Sequence, residues 1–371
     1  MHKRPFLILA NPENRRVTLF QEALKARGQP VADVVSWCDF IDDPRALARF
    51  SNEPRLFRID AAGDNDEVER RFLRSGYEDA LKFGCSTLSP TELAELPSSR
   101  GRILSPRQAH LGFERALTAL EEVLESKLKW VQLNPIADIR ECFDKRVTSK
   151  RFDDLGIPVP GRVRLSNPPI RSLTELRELE WKSVFVKLSC GSSASCLGVL
   201  ERRRFFTTIE QAPDGWFNNL RMQDVRDPAR IEELVDFLFR EGAHVEHTVP
   251  KAKLDGAFFD CRVLCLEREP AFIVVRQNNH QVTNLHLGGW RGDLSHLRQH
   301  VPPDAWEAAM DSCRRVAGCY GALHVGIDLL FEPDFTAHRV IEVNAFGDLL
   351  PNLVVNGLSV YETEVDAAVA R

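Results

Sequence analysis

The chain has 371 residues, 43% of them hydrophobic and 28% charged, which is typical of a globular protein of about two to three domains. Its formal net charge of −5 excludes a strong attraction to nucleic acid or an acidic membrane, and no apolar stretch approaches the roughly 18 residues of a membrane span. The nine cysteines are scattered without a C-x-x-C pair, so they indicate reduced thiols in a cytoplasmic protein rather than a disulfide framework or a zinc site.

The beginning of the chain predicts an open α/β domain. Residues 6–10 are an apolar run too short for a secretory signal, and they predict a buried strand. A helix over residues 14–27 ends at Gly28, and residues 31–37 predict a second strand. This strand–helix–strand order is typical of a sheet with helices packed on it.

The rest of the first 130 residues predicts two helices joined by a loop. The helices are expected over residues 64–83 and 107–130, and residues 86–106, rich in Ser, Thr, Pro and Gly, predict the loop. The apolar stripe of the second helix consists of Leu117, Leu120, Leu124 and Leu128. No pattern here indicates chemistry, so we expect a scaffold that also forms a wall of the substrate site.

The next section begins with a candidate ligand-binding lysine. Residues 136–155 predict a helix that stops at Gly156. Lys145 lies within this helix, in the pattern D-K-x-x-T-S-K, and G-I-P-V-P follows. Taken alone, Lys145 would be read as a surface lysine.

A second lysine is followed by a loop of small residues. Residues 184–186 predict a strand, Lys187 follows it, and residues 191–198 form the loop. Such a loop brings backbone N–H groups close to phosphates, while the lysine supplies a positive charge. No G-K-[ST] opens a helix after the loop, so it is not a Walker loop. The alternative is an ordinary connection between two strands.

The middle of the chain is less regular. Residues 201–227 give no clear pattern, and residues 231–240 predict a helix. Residues 245–249 predict a short strand that contains Glu246 and His247.

A hairpin over residues 258–276 turns around Glu269-Pro270. Asp260 and Arg262 project from one face of it, because side chains two residues apart in a strand share a face. The alternative is a surface ion pair worth about 0–1 kcal/mol. The histidines expected to face solvent are His280, His286, His296 and His300. Of these, His286 is worth testing because it lies next to Asn284.

A helix over residues 303–320 leads to the most informative hairpin, over residues 324–351. The buried stripe of the helix consists of Trp306, Met310, Cys313, Ala317 and Tyr320. In the hairpin, the apolar faces consist of Leu323, Val325, Ile327 and Leu329 in one strand and Ile341 and Val343 in the other.

The opposite face of this hairpin carries oxygen ligands. A turn near residue 335 sets Asp328 opposite Glu342, and Asn344 shares their face. Two facing carboxylates repel each other unless a cation lies between them, and Mg²⁺ prefers carboxylates, a neutral oxygen and phosphate oxygens. The alternative is a solvated polar face, but three oxygen ligands among apolar residues favour the metal.

These motifs together resemble the ATP-grasp superfamily over residues 131–355, specifically the ribosomal-modification-like branch of its carboxylate–amine ligases. The resemblance implies an α/β and α+β fold with three parts. These are an N-terminal open α/β domain at 1–130, a first lobe with the Gly/Ser-rich loop at 131–245, and a C-terminal lobe with the metal site at 246–371.

The resemblance also implies roles for individual residues. ATP would be held by Lys145, Lys187, Ser189, Gly191, Glu246, His247, Asp260 and Asn284, with the Glu246–His247 hinge on the adenine side and Asp260 near the ribose. Mg²⁺, or Mn²⁺, would be held by Asp328, Glu342 and Asn344. Arg276, which faces the transferred phosphoryl group, and Glu342 would be the catalytic residues. We expect the charge of Lys187 to matter only when nucleotide is present, so that Lys187→Ala leaves the fold intact.

The implied reaction is ATP-dependent activation of a carboxylate as an acyl phosphate, followed by attack of an amine and release of ADP and phosphate. The ending E-V-N-A-F-G-D-L-L-P departs from the proline-glycine ending of amino-acid and glutathione ligases and is similar to proteins of peptide-modification or natural-product clusters. The carboxylate substrate can thus be a peptide or a small molecule, and a homo-oligomer stays open. Two alternatives remain: a phosphotransferase acting on a hydroxyl, and a non-catalytic nucleotide-binding protein.

Overall fold

The computed structural model describes residues 4–99, 101–161, 170–179, 181–191, 195–213, 215–347 and 350–371. Successive parts of the chain build a parallel sheet and two larger antiparallel sheets. Nowhere in these ranges is a helix long and apolar enough to cross a membrane.

The first domain is built on the parallel sheet. Its strands are β1 (Phe6–Ala10), β2 (Asp33–Ser36), β3 (Arg55–Ile59) and β4 (Trp130–Gln132), in the order β2-β1-β3-β4. Its helices are α1 (Arg15–Ala26), α2 (Trp37–Asp42), α3 (Arg45–Ala48), α4 (Asp66–Phe83), α5 (Pro90–Glu95) and α6 (Pro106–Glu125). The predicted open α/β arrangement is confirmed, and the sheet includes a strand that ends just beyond residue 130.

Three details of this domain differ from the sequence prediction. The second strand stops before Trp37, because the Ser36 hydroxyl caps α2 there. The predicted loop at 86–106 contains α5, which a capping box at Ser89 begins. Leu128 is 86% exposed rather than part of a buried stripe, because α6 has already ended.

The first lobe follows and is built on an antiparallel sheet. Its helices are α7 (Ile136–Phe143), α8 (Lys145–Asp154), α9 (Leu173–Arg177) and α10 (Pro228–Arg240). Its strands are β5 (Ser183–Leu188), β6 (Leu197–Glu201), β7 (Arg204–Ala212), β8 (Gly215–Val225) and β9 (Ala243–His247), and they lie in the order β8-β7-β6-β5-β9. The stretch 201–227, which had no clear pattern, is mainly the hairpin of β7 and β8.

The predicted helix over residues 136–155 is wrong as a single element. It is two helices that meet at Asp144, whose side chain accepts a hydrogen bond from the Arg146 N–H and so begins α8. Lys145 therefore lies in the first turn of a helix rather than in the middle of one.

The second lobe contains the third sheet. Its strands are β10 (Lys253–Leu254), β11 (Ala257–Leu266), β12 (Glu269–Asn278), β13 (Trp290–Gly292), β14 (His324–Phe331) and β15 (His338–Asn344). They lie in the order β13-β12-β11-β14-β15, and β10 pairs with β11. Helices α11 (Leu294–His300) and α12 (Pro303–Ala317), short strands β16 (Val354–Val355) and β17 (Leu358–Ser359), and helix α13 (Val360–Ala370) complete this part. The stripe predicted for a helix over residues 303–320 is buried throughout, but α12 ends at Ala317 and Tyr320 follows it.

The apolar cores show which parts are packed together. One cluster runs from the first domain, with Trp37, into the second lobe, with Phe259 and Ile327. The same cluster includes Ile139 of α7 and Phe152 of α8. The sheet of the first lobe has a separate core, with Val186 and Leu234. The first domain, the second lobe and helices α7 and α8 thus share one continuous core, whereas the sheet of the first lobe packs around its own.

Candidate active site

A cleft of about 980 Å³ lies among the first domain and the two lobes. It is lined by every residue predicted for the site except one. The exception is Ser189, which is fully buried and whose hydroxyl accepts a hydrogen bond from Arg107. The structure therefore argues against a side-chain contact between Ser189 and a nucleotide.

The register of the β14–β15 hairpin agrees with the prediction. Asp328 pairs with Glu342, and Gly326 with Asn344. A bulge then shifts the register, because Leu329 pairs with Val340 and skips Ile341. The prediction that Ile341 shares the buried face of Val343 is wrong: Val340 takes that place, and Ile341 lines the cleft.

An alternating row of charges crosses the floor of the cleft. The Asp328 carboxylate accepts from Arg262 and lies 3.1 Å from Nη2 of Arg276. Arg276 Nε also donates to Asp260 at 2.7 Å, and Lys251 Nζ donates to the other Asp260 oxygen at 3.1 Å. Thr283 adds a further hydrogen bond to Asp260. The acids and bases of this row therefore hold one another in place without a ligand.

Burial and pairing act in opposite directions on these groups. Burial alone would raise the pKa of Asp328, but the guanidinium groups of Arg262 and Arg276 outweigh it and hold the pKa below its ordinary value. For Lys251, burial dominates and lowers the pKa despite the nearby Asp260 carboxylate. Asp328 is thus an anion in this site.

The position of Asp260 bears on its predicted contact with the ribose. Both of its oxygens are engaged, one by Arg276 and one by Lys251. Because Arg276 joins Asp260 directly to Asp328, Asp260 lies at the same end of the cleft as Asp328. With Thr283 included, three hydrogen bonds use the carboxylate of Asp260, out of about four acceptor positions that a carboxylate has.

Lys145 joins the two lobes at the centre of the cleft. Its ammonium group lies 3.3 Å from Glu342 and donates to the carbonyl oxygen of Gly191. Its backbone N–H donates to the Ser189 carbonyl at 2.9 Å. Lys145 therefore contacts both residues 189–191 of the first lobe and the Glu342 carboxylate of the second lobe.

Lys187 lies within β5, not after it as predicted, and its side chain pairs with Glu246 of the neighbouring strand β9. Its ammonium group is 2.5 Å from Glu246, which also contacts His244 at 3.2 Å. Burial would raise the pKa of Glu246, but Lys187 and His244 outweigh it and hold the pKa at about 2. Burial would likewise lower the pKa of Lys187, yet Glu246 and Glu342 raise it.

The hinge strand itself covers Ala243–His247 rather than the predicted residues 245–249. The His247 N–H donates to the Gly161 carbonyl, and its ring meets Trp181 edge to face. Asn284 also lines the cleft, with its side chain accepting from the His286 N–H at 2.8 Å. His286 is exposed, as expected.

Residues 192–194 of the predicted small-residue loop lie outside the described residues. Its far end departs from the prediction, since β6 already begins at Leu197. Gly198 is required by packing: a Cβ there would lie 1.9 Å from the ring of Phe205. Gly191 and Ser195, the described residues on either side of 192–194, line the cleft.

Sequence reasoning missed several residues of the cleft. Lys251 and Thr283 carry no recognisable motif, and only the fold brings them to Asp260. Arg16 of the first domain lines the cleft and donates to the Phe346 carbonyl at 2.9 Å, just beyond Asn344. His110 lies on α6, stacked with the ring of Phe143. No periodicity distinguishes these residues from surface positions.

The donor set fits a magnesium ion better than a soft metal. Within the described ranges, no group of three or more His, Cys, Asp or Glu side chains is arranged for a metal ion. Asp328, Glu342 and Asn344 instead offer two carboxylates and one amide oxygen, which leaves positions for phosphate oxygens, as Mg²⁺ prefers.

Comparison with known proteins identifies the fold. No protein-family profile matches the chain, and no curated protein matches its sequence. Solved structures match it over nearly its whole length. The D-cycloserine synthetase DcsG is 17% identical, with a TM-score of 0.56 over 98% of this chain and 99% of that one. The macrocyclase MdnC from Microcystis aeruginosa MRC, solved with the precursor peptide MdnA, is 14% identical, with a TM-score of 0.55 over 99% and 100%. The ATP-grasp ligase PsnB, solved with the precursor peptide PsnA2 and AMPPNP, is 13% identical, with a TM-score of 0.51 over 98% and 97%. The chain therefore has the ATP-grasp fold, and the predicted fold is confirmed.

Proposed function

We propose that the chain is an ATP-dependent carboxylate–amine ligase. A substrate carboxylate oxygen attacks the γ-phosphorus of ATP, the bond from that phosphorus to the bridging oxygen breaks, and ADP leaves. The nitrogen of an amine then attacks the carbon of the acyl phosphate. An amide bond forms, phosphate leaves with the electrons of the broken C–O bond, and the nitrogen loses a proton to solvent.

The observation that carries this proposal is the convergence of cations and oxygen donors on one cleft. Lys145 and Lys187 approach from the first lobe, and Arg276 and Glu342 from the second. Phosphoryl transfer depends mainly on positioning and on offsetting charge at the transferred group, which these side chains are suited to supply. The shared fold with DcsG, MdnC and PsnB supports ligation over other uses of such a cleft.

In this proposal Lys145 and Lys187 contact the phosphates, and the Glu246–His247 hinge lies behind the adenine. Lys187 is already oriented by Glu246, so little rearrangement is needed when the nucleotide binds. Arg276 faces the γ-phosphoryl group from a position that Asp260 fixes.

Asp328, Glu342 and Asn344 would hold the divalent cation, Mg²⁺ or Mn²⁺. Bound there, it would offset the charge of the phosphate oxygens. Asp328 also pairs with Arg262 and Arg276, so the cation would share this carboxylate with two guanidinium groups.

The carboxylate and the amine are expected on the first-domain side of the cleft. Its volume, about 980 Å³, is at the upper end of the roughly 300–1,000 Å³ of ligand pockets, which leaves room beside a nucleotide. Arg16, His110 and Phe143 line that side. Both small molecules and peptides therefore belong in a substrate screen.

The test is to incubate the protein with Mg²⁺, ATP and pooled carboxylates, including short peptides, in the presence of hydroxylamine. Ligase chemistry gives a hydroxamate together with ADP, because hydroxylamine traps the acyl phosphate. ADP with a phosphorylated hydroxyl compound and no hydroxamate would instead show a phosphotransferase. Nucleotide binding without any ADP would show a non-catalytic protein.

A pair of variants on one hairpin controls the test. Glu342→Gln should retain nucleotide binding and lose nearly all ADP release, because it removes a charge that holds the metal. Glu332→Gln is the matched control: its side chain is 23% exposed, against 22% for Glu342, but it pairs with Arg339 away from the cleft. If Glu342→Gln turns over at the rate of the control, the metal assignment is wrong.

A further inference from the structure

Arg107 is a buried arginine that crosses from the first domain to the first lobe. It lies in the first turn of α6 and is 6% exposed. Its guanidinium group donates to Ser189 Oγ at 2.8 Å and to the carbonyl oxygens of Glu241 and Gly242 at 3.2 and 3.3 Å. It also donates to Cys190 Sγ at 3.2 Å, so four acceptors of the first lobe are bound by one side chain of the first domain.

The contact is reciprocal. The Glu241 carboxylate, which follows α10, accepts from the backbone N–H groups of Arg107 and Ser86, both at 3.0 Å. The Arg107 guanidinium group therefore lies at the carbonyl end of α10, and the Glu241 carboxylate lies at the N–H end of α6. Each charge has the favourable sign for its helix end. Gly242 makes room for this exchange, since a Cβ there would lie 2.2 Å from Arg107 Nη2.

The lobe segment that Arg107 holds leads directly into the cleft. The Ser189 carbonyl accepts from the Lys145 backbone N–H at 2.9 Å, and the Gly191 carbonyl accepts from the Lys145 ammonium group. Cys190 and Gly191 line the cleft, whereas Ser189 does not. The Ser189 hydroxyl is therefore positioned to orient this segment, not to contact a ligand.

We propose that Arg107 is a positioning residue for the nucleotide phosphates. From the first domain it fixes residues 189–191 and, through them, the direction of Lys145. This inference rests on the proposed nucleotide site, and it adds a requirement that the first domain be docked for tight nucleotide binding.

The experiment measures the affinity of the full-length protein for AMPPNP with Mg²⁺ by calorimetry. Ser189→Ala removes one acceptor without leaving a charge unpaired, and it should weaken binding roughly 3- to 10-fold. Arg107→Gln should weaken it more, and Arg107→Lys should rescue part of the loss, since lysine keeps the charge without the planar fork. Ser312→Ala is the matched control, because that buried hydroxyl bonds His338 in the second lobe, and its affinity should equal that of the wild type.

Each outcome decides something. Binding is measured well below the melting temperature of each variant, so that a change in global stability alone leaves the affinity unchanged. Hydrogen exchange over residues 183–191 should rise in Ser189→Ala and not in Ser312→Ala. If Arg107→Gln does not fold, Ser189→Ala and Arg107→Lys decide. If both variants bind AMPPNP with wild-type affinity, the role of Arg107 is overturned but the proposed function is not. If the wild-type protein does not bind the nucleotide, the proposed function is overturned as well.

Discussion

The ammonium group of Lys187 lies 2.5 Å from the Glu246 carboxylate, and both side chains are largely buried. The lysine is therefore held in the cleft by a charge of the protein itself. We therefore expect the charge of Lys187 to matter for folding without nucleotide as well, in contrast to the expectation from the sequence. Removing this charge leaves a buried anion with only His244 beside it.

Lys187→Met should lower the free energy of unfolding by about 3 kcal/mol, the usual cost of breaking one side of a buried ion pair. Adding Glu246→Gln should restore much of that loss, because the unpaired charge is then removed. Urea denaturation of the single and double variants measures both effects. The control is Lys182→Met, at an exposed lysine before the same strand, and equal losses in Lys187→Met and this control would contradict the pairing.

The Glu246 pair also predicts a pH dependence. The pKa of Glu246 falls from its ordinary 4.5 to about 2 in the folded protein. A carboxyl with a depressed folded pKa contributes stability that is present above the unfolded pKa and lost as pH falls through the folded one. The stability difference between wild type and Glu246→Gln should therefore be constant above about pH 5 and shrink towards pH 2. A difference that grows as the solution is acidified would refute the assignment.

Among the elements, the break between α7 and α8 decides where Lys145 points. Asp144 begins α8 by accepting from the Arg146 N–H at 2.9 Å, so that the next residue enters the cleft from a helix end. If α7 continued without a break, the helical turns before residue 145 would set the direction of the Lys145 side chain. The cap thus serves the site as well as the helix.

Asp144→Ala should cost about 1 kcal/mol of stability, as for other N-cap residues, and should also weaken AMPPNP binding. Asp293→Ala is the matched control: Asp293 caps α11 through the Ser295 N–H at 2.7 Å, away from the cleft. Both variants should lose similar stability in thermal unfolding, but only Asp144→Ala should lose affinity. Equal affinities would mean that the cap does not position Lys145.

The sequence predicted the elements whose signal is local and missed those that depend on partners. The Asp328–Glu342 register followed from strand alternation around one turn, and the structure has it. The bulge at Ile341 could not be predicted, because one additional residue in a strand leaves the apolar pattern nearly unchanged. Arg107 could not be predicted either, since its acceptors lie more than eighty residues away in the chain.

At the scale of the whole molecule, helix α13 packs against α1 and β3 of the first domain. Tyr361 and Val365 of α13 share an apolar cluster with Phe20 of α1. Beneath them Arg58 of β3 donates to Glu364 at 2.6 Å, with both side chains almost fully buried. Since the first domain and the second lobe also share a core, these two parts should unfold together.

Glu364→Gln tests this coupling by removing one charge of the buried pair. Within the described part of the chain, Asp60 at 3.5 Å is then the remaining carboxylate partner of Arg58, so the variant should lose about 3 kcal/mol of unfolding free energy. The loss should appear in probes of both the first domain and the second lobe, because their shared core melts as one unit. Asp366→Asn is the control on the same helix: it breaks an exposed pair with Arg27 and should be nearly neutral. Hydrogen exchange of β1 and β14 in urea follows the two parts separately. If β1 loses protection in Glu364→Gln while β14 keeps that of the wild type, the two parts unfold independently, although Glu364 contacts His324 of β14.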